Sequence, residues 1–128
     1  MSYSPTWQDL TSLEDLEKII EDSRMKPMLI LKVSPDQDQH VEIKEKMERE
    51  WTIADDQLNC FLVDSTKNPK LGAEISDVAG IGDNVPQVLL FADGVAMYDE
   101  SQEMINAKKI KLALKIINRT FRWMETRV

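Results

Sequence analysis

The sequence predicts an α/β fold: a mixed four-stranded sheet flanked by helices, with an extended C-terminal helix. Three observations predict it. Short, nearly continuous apolar runs at residues 28–33, 59–64 and 87–91 have strand length, not helix length. Segments with helical spacing of apolar residues separate them, and such alternation implies right-handed βαβ crossovers around a central sheet. Asp93-Gly94 after the last run is a turn signal leading into a further short strand, residues 95–98, which adds an antiparallel edge.

The elements follow in order. Trp7 and Leu10 lie in a lead-in. Thr11-Ser12-Leu13-Glu14 reads as a capping box with Thr11 at the N-cap, and Leu13, Leu16, Ile19 and Ile20 carry a helix to about Ser23. Lys26-Pro27 breaks it before the first apolar run. Ser34-Pro35-Asp36-Gln37-Asp38 is a turn in which Ser34, Asp36 or Asp38 caps a helix over residues 39–53, with Ile43, Met47 and Trp51 on one face. The run at 59–64 ends in Asp64. Asn68-Pro69 opens a helix with Asn68 as N-cap and Pro69 at the first helical position, carried by Leu71, Ile75 and Val78 and ended by Gly80-Ile81-Gly82. Pro86 opens the next strand, where no ladder hydrogen bond need be donated. A last helix runs from about Asn106 to the end.

Composition narrows the function classes. A chain of 128 residues with no repeat or linker reads as one domain over residues 1–128, with 119–128 as a helix extension. No apolar run approaches the ~20 residues of a membrane span, and residues 1–7 lack a secretory pattern. The single cysteine excludes an internal disulfide and any multi-cysteine metal site. The expectation is a cytoplasmic protein with no cofactor. Residues 105–128 carry seven Lys or Arg and one acid, a net +6 against −13 on residues 1–104. An acidic body argues against nucleic-acid binding, and the basic tail suits something acidic.

The layout resembles the thioredoxin fold over residues 7–115, on three pieces: the strand, turn and helix of residues 29–51, the Asp-ended strand and capped helix of 63–78, and Val85-Pro86 before an apolar strand and Asp-Gly. The resemblance implies a cis Val85–Pro86 bond facing the functional site, and a groove that holds an extended peptide by backbone hydrogen bonds. Within that superfamily the chain is most similar to the monothiol bacilliredoxin-type proteins, small bacterial proteins of the bacillithiol system, through Leu31-Lys32-Val33-Ser34, Pro86-Gln87 and Trp7-x-x-Leu10. That family has a pattern close to Lys-His-Ser-x-x-Cys-Pro-Ile-Ser. Laid on this chain, its His falls on Val33, its Ser on Ser34, its Cys on Gln37 and its Pro on Asp38. The nucleophile is absent. Exchange needs a thiolate attacking sulfur, stabilised at a helix N-terminus. Gln37 cannot ionise, and Asp36 and Asp38 place negative charge where a thiolate would form. No catalytic residue is assigned; by resemblance Ser34, Gln37, Val85 and Pro86 line a peptide or partner groove.

Other residues bear weighing. Cys60 reads as a buried strand cysteine acting as a small hydrophobe; the functional alternative is an exposed monothiol or an intermolecular disulfide. His40 beside Asp36 and Asp38 suggests a metal or a general base, against the plainer reading of a surface histidine; no metal site is assigned. Ser34 has no identified base and reads as a turn or cap residue. In the last helix Ile110, Leu114, Ile117, Phe121, Met124 and Val128 form the packing stripe. A second stripe, Ile105, Leu112, Ile116 and Trp123, lies opposite, beside Lys111, Lys115, Arg119 and Arg122. Leu112, Ile116, Arg119 and Trp123 are the expected interface. It is covered by the chain's own fold, by a second copy in a homodimer, or by a membrane surface or acidic partner. The expected function is a non-catalytic binding, scaffold or regulatory module for a protein partner; the alternative is a thiol–disulfide oxidoreductase or redox sensor working through Cys60.

Overall fold

The computed structural model describes residues 3–121. The elements are β1 (Trp7–Asp9), α1 (Leu13–Asp22), β2 (Met28–Val33), α2 (Asp38–Arg49), β3 (Asn59–Asp64), α3 (Pro69–Ala79), β4 (Gln87–Ala92), β5 (Val95–Ser101) and α4 (Ala107–Phe121), with short 3-10 turns at Asp55–Gln57 and Gln102–Met104. The sheet has five strands, ordered β1-β3-β2-β4-β5. β1 and β2 run parallel to β3, and β4 runs antiparallel to both β2 and β5. The fold is therefore the mixed α/β sandwich the sequence predicts, with one more strand. Trp7–Asp9 holds a single apolar residue, so it shows no strand alternation; it is a strand because its backbone pairs with Cys60, Phe61 and Leu62.

β2 and β4 are buried along their whole length, which explains their unbroken apolar runs. Leu29, Leu31, Val88 and Leu90 pack under Met47 of α2 and Ile110, Leu114 and Ile117 of α4. Met28, Ile30, Leu89 and Phe91 pack on the other face under Leu16 and Ile19 of α1 and Leu71 and Ile75 of α3. The β4–β5 hairpin turns through Asp93 and Gly94, both with positive φ (53° and 82°), the conformation that favours this dipeptide in a tight hairpin.

Local chemistry departs from the sequence expectations in several places. Ser12, not Thr11, caps α1, its hydroxyl accepting from the Asp15 N–H at 3.1 Å. α2 ends at Arg49, where Glu50 leaves helical geometry, and Trp51 and Ile53 reach the core from the segment beyond it. In α3 Val78 is exposed; Gly72 and Ser76 complete the buried face with Leu71 and Ile75. Asn68 makes no side-chain cap, its amide donating to the Asp64 carbonyl instead, while Gly80 closes the helix in the left-handed conformation. Asn106 caps α4, accepting from the Lys108 and Lys109 N–H groups. Ile105 precedes α4 and is buried in the core, so it does not belong to the outer stripe.

Candidate partner-binding site

The residues expected to line a groove lie at the end of the sheet where β2 finishes and β4 begins. Lys32 pairs with Gln87 in the β2–β4 ladder. That register, continued, sets Val33 against Pro86 and Ser34 against Val85. The Val85–Pro86 bond is cis. Pro86 is buried, and its carbonyl accepts the Gln102 N–H at 2.8 Å. Val85 is half-buried, and among the described residues neither its N–H nor its C=O has a backbone partner within the chain. Backbone groups left open beside a strand end can pair with an added extended segment.

Across the turn, the Ser34 carbonyl accepts the Gln37 N–H at 3.0 Å. Gln37 is the N-cap residue of α2, exposed and in extended geometry, with no side-chain cap. None of Ser34, Asp36 and Asp38 caps the helix by a side-chain bond. Asp36 instead accepts from the Thr66 hydroxyl at 3.2 Å, and Asp38 is the first residue of the helix. The Ser34 N–H donates to His40 Nδ1 at 3.0 Å, so His40 is a half-buried clasp on the turn and not a free surface residue. Its ring lines a cleft of about 280 Å³ with Val33, Pro35, Lys44, Glu48 and Leu62. Among the described residues no group of three or more His, Cys, Asp or Glu is arranged to hold a metal.

Cys60 sits at the other end of the sheet. It pairs with Leu29, five residues before Ser34, which at ~3.3 Å per residue separates them by roughly 17 Å. It is 4% exposed within the α2–α4 core. Burial, with a smaller contribution from Asp55 that Lys26 partly offsets, pushes the thiol from its ordinary 9.0 up to about 12. A reactive cysteine has the reverse surroundings: exposed, electropositive, with a depressed pKa.

The role of Lys32, quoted from the sequence only for its family likeness, is what sequence reasoning missed. It occupies a strand position with no exposure, facing α3. Its ammonium donates to the Gly72 carbonyl (2.9 Å), the Ser76 hydroxyl and Asp83 Oδ1 (2.6 Å). Ser76 donates to Gln87 Oε1 (3.0 Å), and Gln87 Nε2 donates to the Gly82 carbonyl (2.8 Å). All three ammonium protons are thereby used, as a buried charge requires. The signal in the sequence was a lone Lys and a lone Gln inside otherwise apolar strands.

On the outer side of α4, Leu112 and Ile116 are 58% and 54% exposed, with exposed Arg119 one turn on. The fold thus leaves this stripe uncovered by any described residue. Trp123, the fourth expected interface residue, lies outside the described residues, as do Arg122, Met124 and Val128. No described helix is long and apolar enough to cross a membrane.

Comparison with known proteins agrees with this architecture. Among solved structures, the chain is similar to a protein of thioredoxin fold (TM-score 0.72, 16% identity, covering 84% of this chain and 92% of that one). It is also similar to the thioredoxin Mala s 13 of Malassezia sympodialis (TM-score 0.66, 15% identity, 91% and 93%). Fasciola hepatica thioredoxin matches likewise (TM-score 0.64, 19% identity, 85% and 97%). At these identities the likeness establishes the fold. No curated protein matches the sequence significantly. The family model described as monothiol bacilliredoxin BrxC matches residues 8–110, most of the chain and the whole of β2 to β5, so this thioredoxin-fold protein belongs to the monothiol bacilliredoxin family.

Proposed function

We propose that this bacilliredoxin-family chain is a single-domain, non-catalytic binding module, which engages a protein partner through the groove of Ser34, Gln37, Val85 and Pro86. The observation that carries the reading is the separation of the lone thiol from the groove. At the position matching the family's nucleophile stands Gln37, which forms no thiolate, whereas Cys60 is buried roughly 17 Å from Ser34 along the sheet, with its proton held to about pH 12. What the groove retains is backbone recognition, because the open N–H and C=O of Val85 bind an extended segment without a thiol. The alternative, thiol–disulfide chemistry or redox sensing through Cys60, draws no support from the geometry around that residue.

We place a second contact on the outer face of α4, at Leu112, Ile116 and Arg119, with a second copy of the chain as its occupant. Deleting residues 119–128 and measuring mass in solution tests this contact; an unchanged oligomeric state contradicts it. The groove is tested by titrating the 15N-labelled protein with a mixture of cysteine-free extended peptides. Amide shifts at Ser34, Gln37 and Val85 are expected, and a titration that moves only other residues contradicts the groove. Reduction of a low-molecular-weight mixed disulfide by the wild-type chain contradicts the non-catalytic reading.

A further inference from the structure

We propose that Lys32 is the positioning residue of the groove: its buried ammonium grips Asp83 and so fixes the loop that presents Val85. The inference rests on the groove reading above and adds what keeps that groove in shape.

The loop between α3 and β4 has little to hold it. Residues 80–86 contain two glycines and form no regular secondary structure. Ile81 is tied back to α3 by its N–H on the Ser76 carbonyl at 3.0 Å. Beyond it, Gly82 and Asp83 are attached by side chains from beneath: Gln87 Nε2 holds the Gly82 carbonyl, and Lys32 Nζ holds Asp83. Asn84 and Val85 follow directly. Both attachments belong to one network, because Ser76 links Lys32 to Gln87. The ladder partners Lys32 and Gln87 thus act as two struts from adjacent strands to consecutive loop residues.

Charge is the reason for a lysine here. An apolar side chain would fill the space between β2 and α3 without desolvating an ammonium, and replacing buried ion pairs by apolar groups is often neutral or stabilising. An apolar residue cannot hold Asp83. Asp83 is the one ionisable group bonded to the ammonium among the described residues; Gly72 and Ser76 from α3, Val63 from β3 and Gln87 from β4 carry no charge. The Asp83 side chain is 43% exposed, so the pair joins a dry interior to the rim of the groove. Burial pulls the Lys32 pKa below its ordinary 10.5 and the hydrogen bond and charge of Asp83 oppose this. The grip therefore weakens as the ammonium loses its proton, at lower pH than an ordinary lysine would.

The test is 15N relaxation on the full chain without any ligand, which reads the loop whether or not a peptide binds. Wild type at neutral pH is expected to show order parameters near ~0.85 at Gly82, Asp83, Asn84 and Val85. In D83N, which alters only a partly exposed side chain, they are expected to fall toward ~0.6 or below, with Leu89 and Phe91 unchanged. Raising the pH of wild type until the Lys32 Nζ resonance reports loss of its proton is expected to loosen the same four residues. K32M is expected to be loose at every pH. Equal loop order in D83N and wild type, or no change across the Lys32 titration, overturns the proposal.

Discussion

At the start of β3 the buried Cys60 belongs to the core cluster that includes Met47, Trp51, Leu114 and Ile117, and removing its proton would strand a thiolate away from water. Its folded pKa, raised from 9.0 to about 12, has a thermodynamic consequence. A raised pKa contributes stability that is complete below pH 9 and is lost as pH climbs toward 12. The full shift corresponds to about 4 kcal/mol, or ~1.4 kcal/mol per pH unit within that window. Denaturant unfolding of wild type and C60A at pH 8, 9 and 10 is expected to show the wild-type advantage shrinking above pH 9. A constant gap contradicts the burial of the thiol. Tyr98, also raised to about 12, is common to both proteins and cancels in the difference. Lys32 acts with the opposite sign, since a lowered folded pKa makes stability rise with pH up to 10.5, and it cancels too. Ser23 is a second residue whose role is long-range. Its hydroxyl donates to the Ile20 carbonyl and accepts the Gly94 N–H at 2.9 Å, fastening the hairpin turn to the end of α1. S23A is expected to lower stability by ~1–3 kcal/mol by orphaning that N–H, as denaturant titration would show.

Among the elements, α4 separates two kinds of apolar residue that the sequence places on one helix. Leu114 is 4% exposed and Leu112 is 58% exposed. L114A is expected to cost ~2–5 kcal/mol through lost burial and a cavity, and L112A, at a dilution where the chain is monomeric, to stay within about 0.5 kcal/mol. Equal losses would mean that the outer face is covered within the monomer. The elements also show why some of the fold was legible and some was not. The hairpin was readable because its signal is local: an apolar run, Asp93-Gly94, and a short strand adjacent in sequence. The helices were readable from their spacing, although Val78 and Ile105 show that periodicity alone misassigns faces near an end. β1 was not readable, because three residues with one apolar side chain carry no period, and only Cys60, Phe61 and Leu62, some fifty residues on, make them a strand. The Lys32 network was hidden for the same reason: its partners Gly72, Ser76 and Asp83 lie 40 to 51 residues away. The expectation of a groove came from resemblance, not from spacing.

For the whole molecule, charge and family pull the same way. The net −7 is unevenly spread, and α4 from Ala107 to Phe121 has five Lys or Arg and no acid. Two copies mated through this face set cations against cations, so that association is expected to strengthen from 50 to 300 mM salt as repulsion is screened, measurable by sedimentation. Weakening with salt would show that an acidic surface is the partner of α4. The family supplies the scaffold of a thiol protein, whereas this chain has its one thiol in the core and a glutamine at the helix start. The measurement that tests this most directly is intact mass after exposure of the native chain to a low-molecular-weight disulfide at neutral pH, with Q37C alongside. The account predicts no adduct on wild type and one on Q37C, whose thiol would stand exposed at the start of α2. An adduct on wild type, necessarily at Cys60, would contradict it and restore thiol chemistry to this protein.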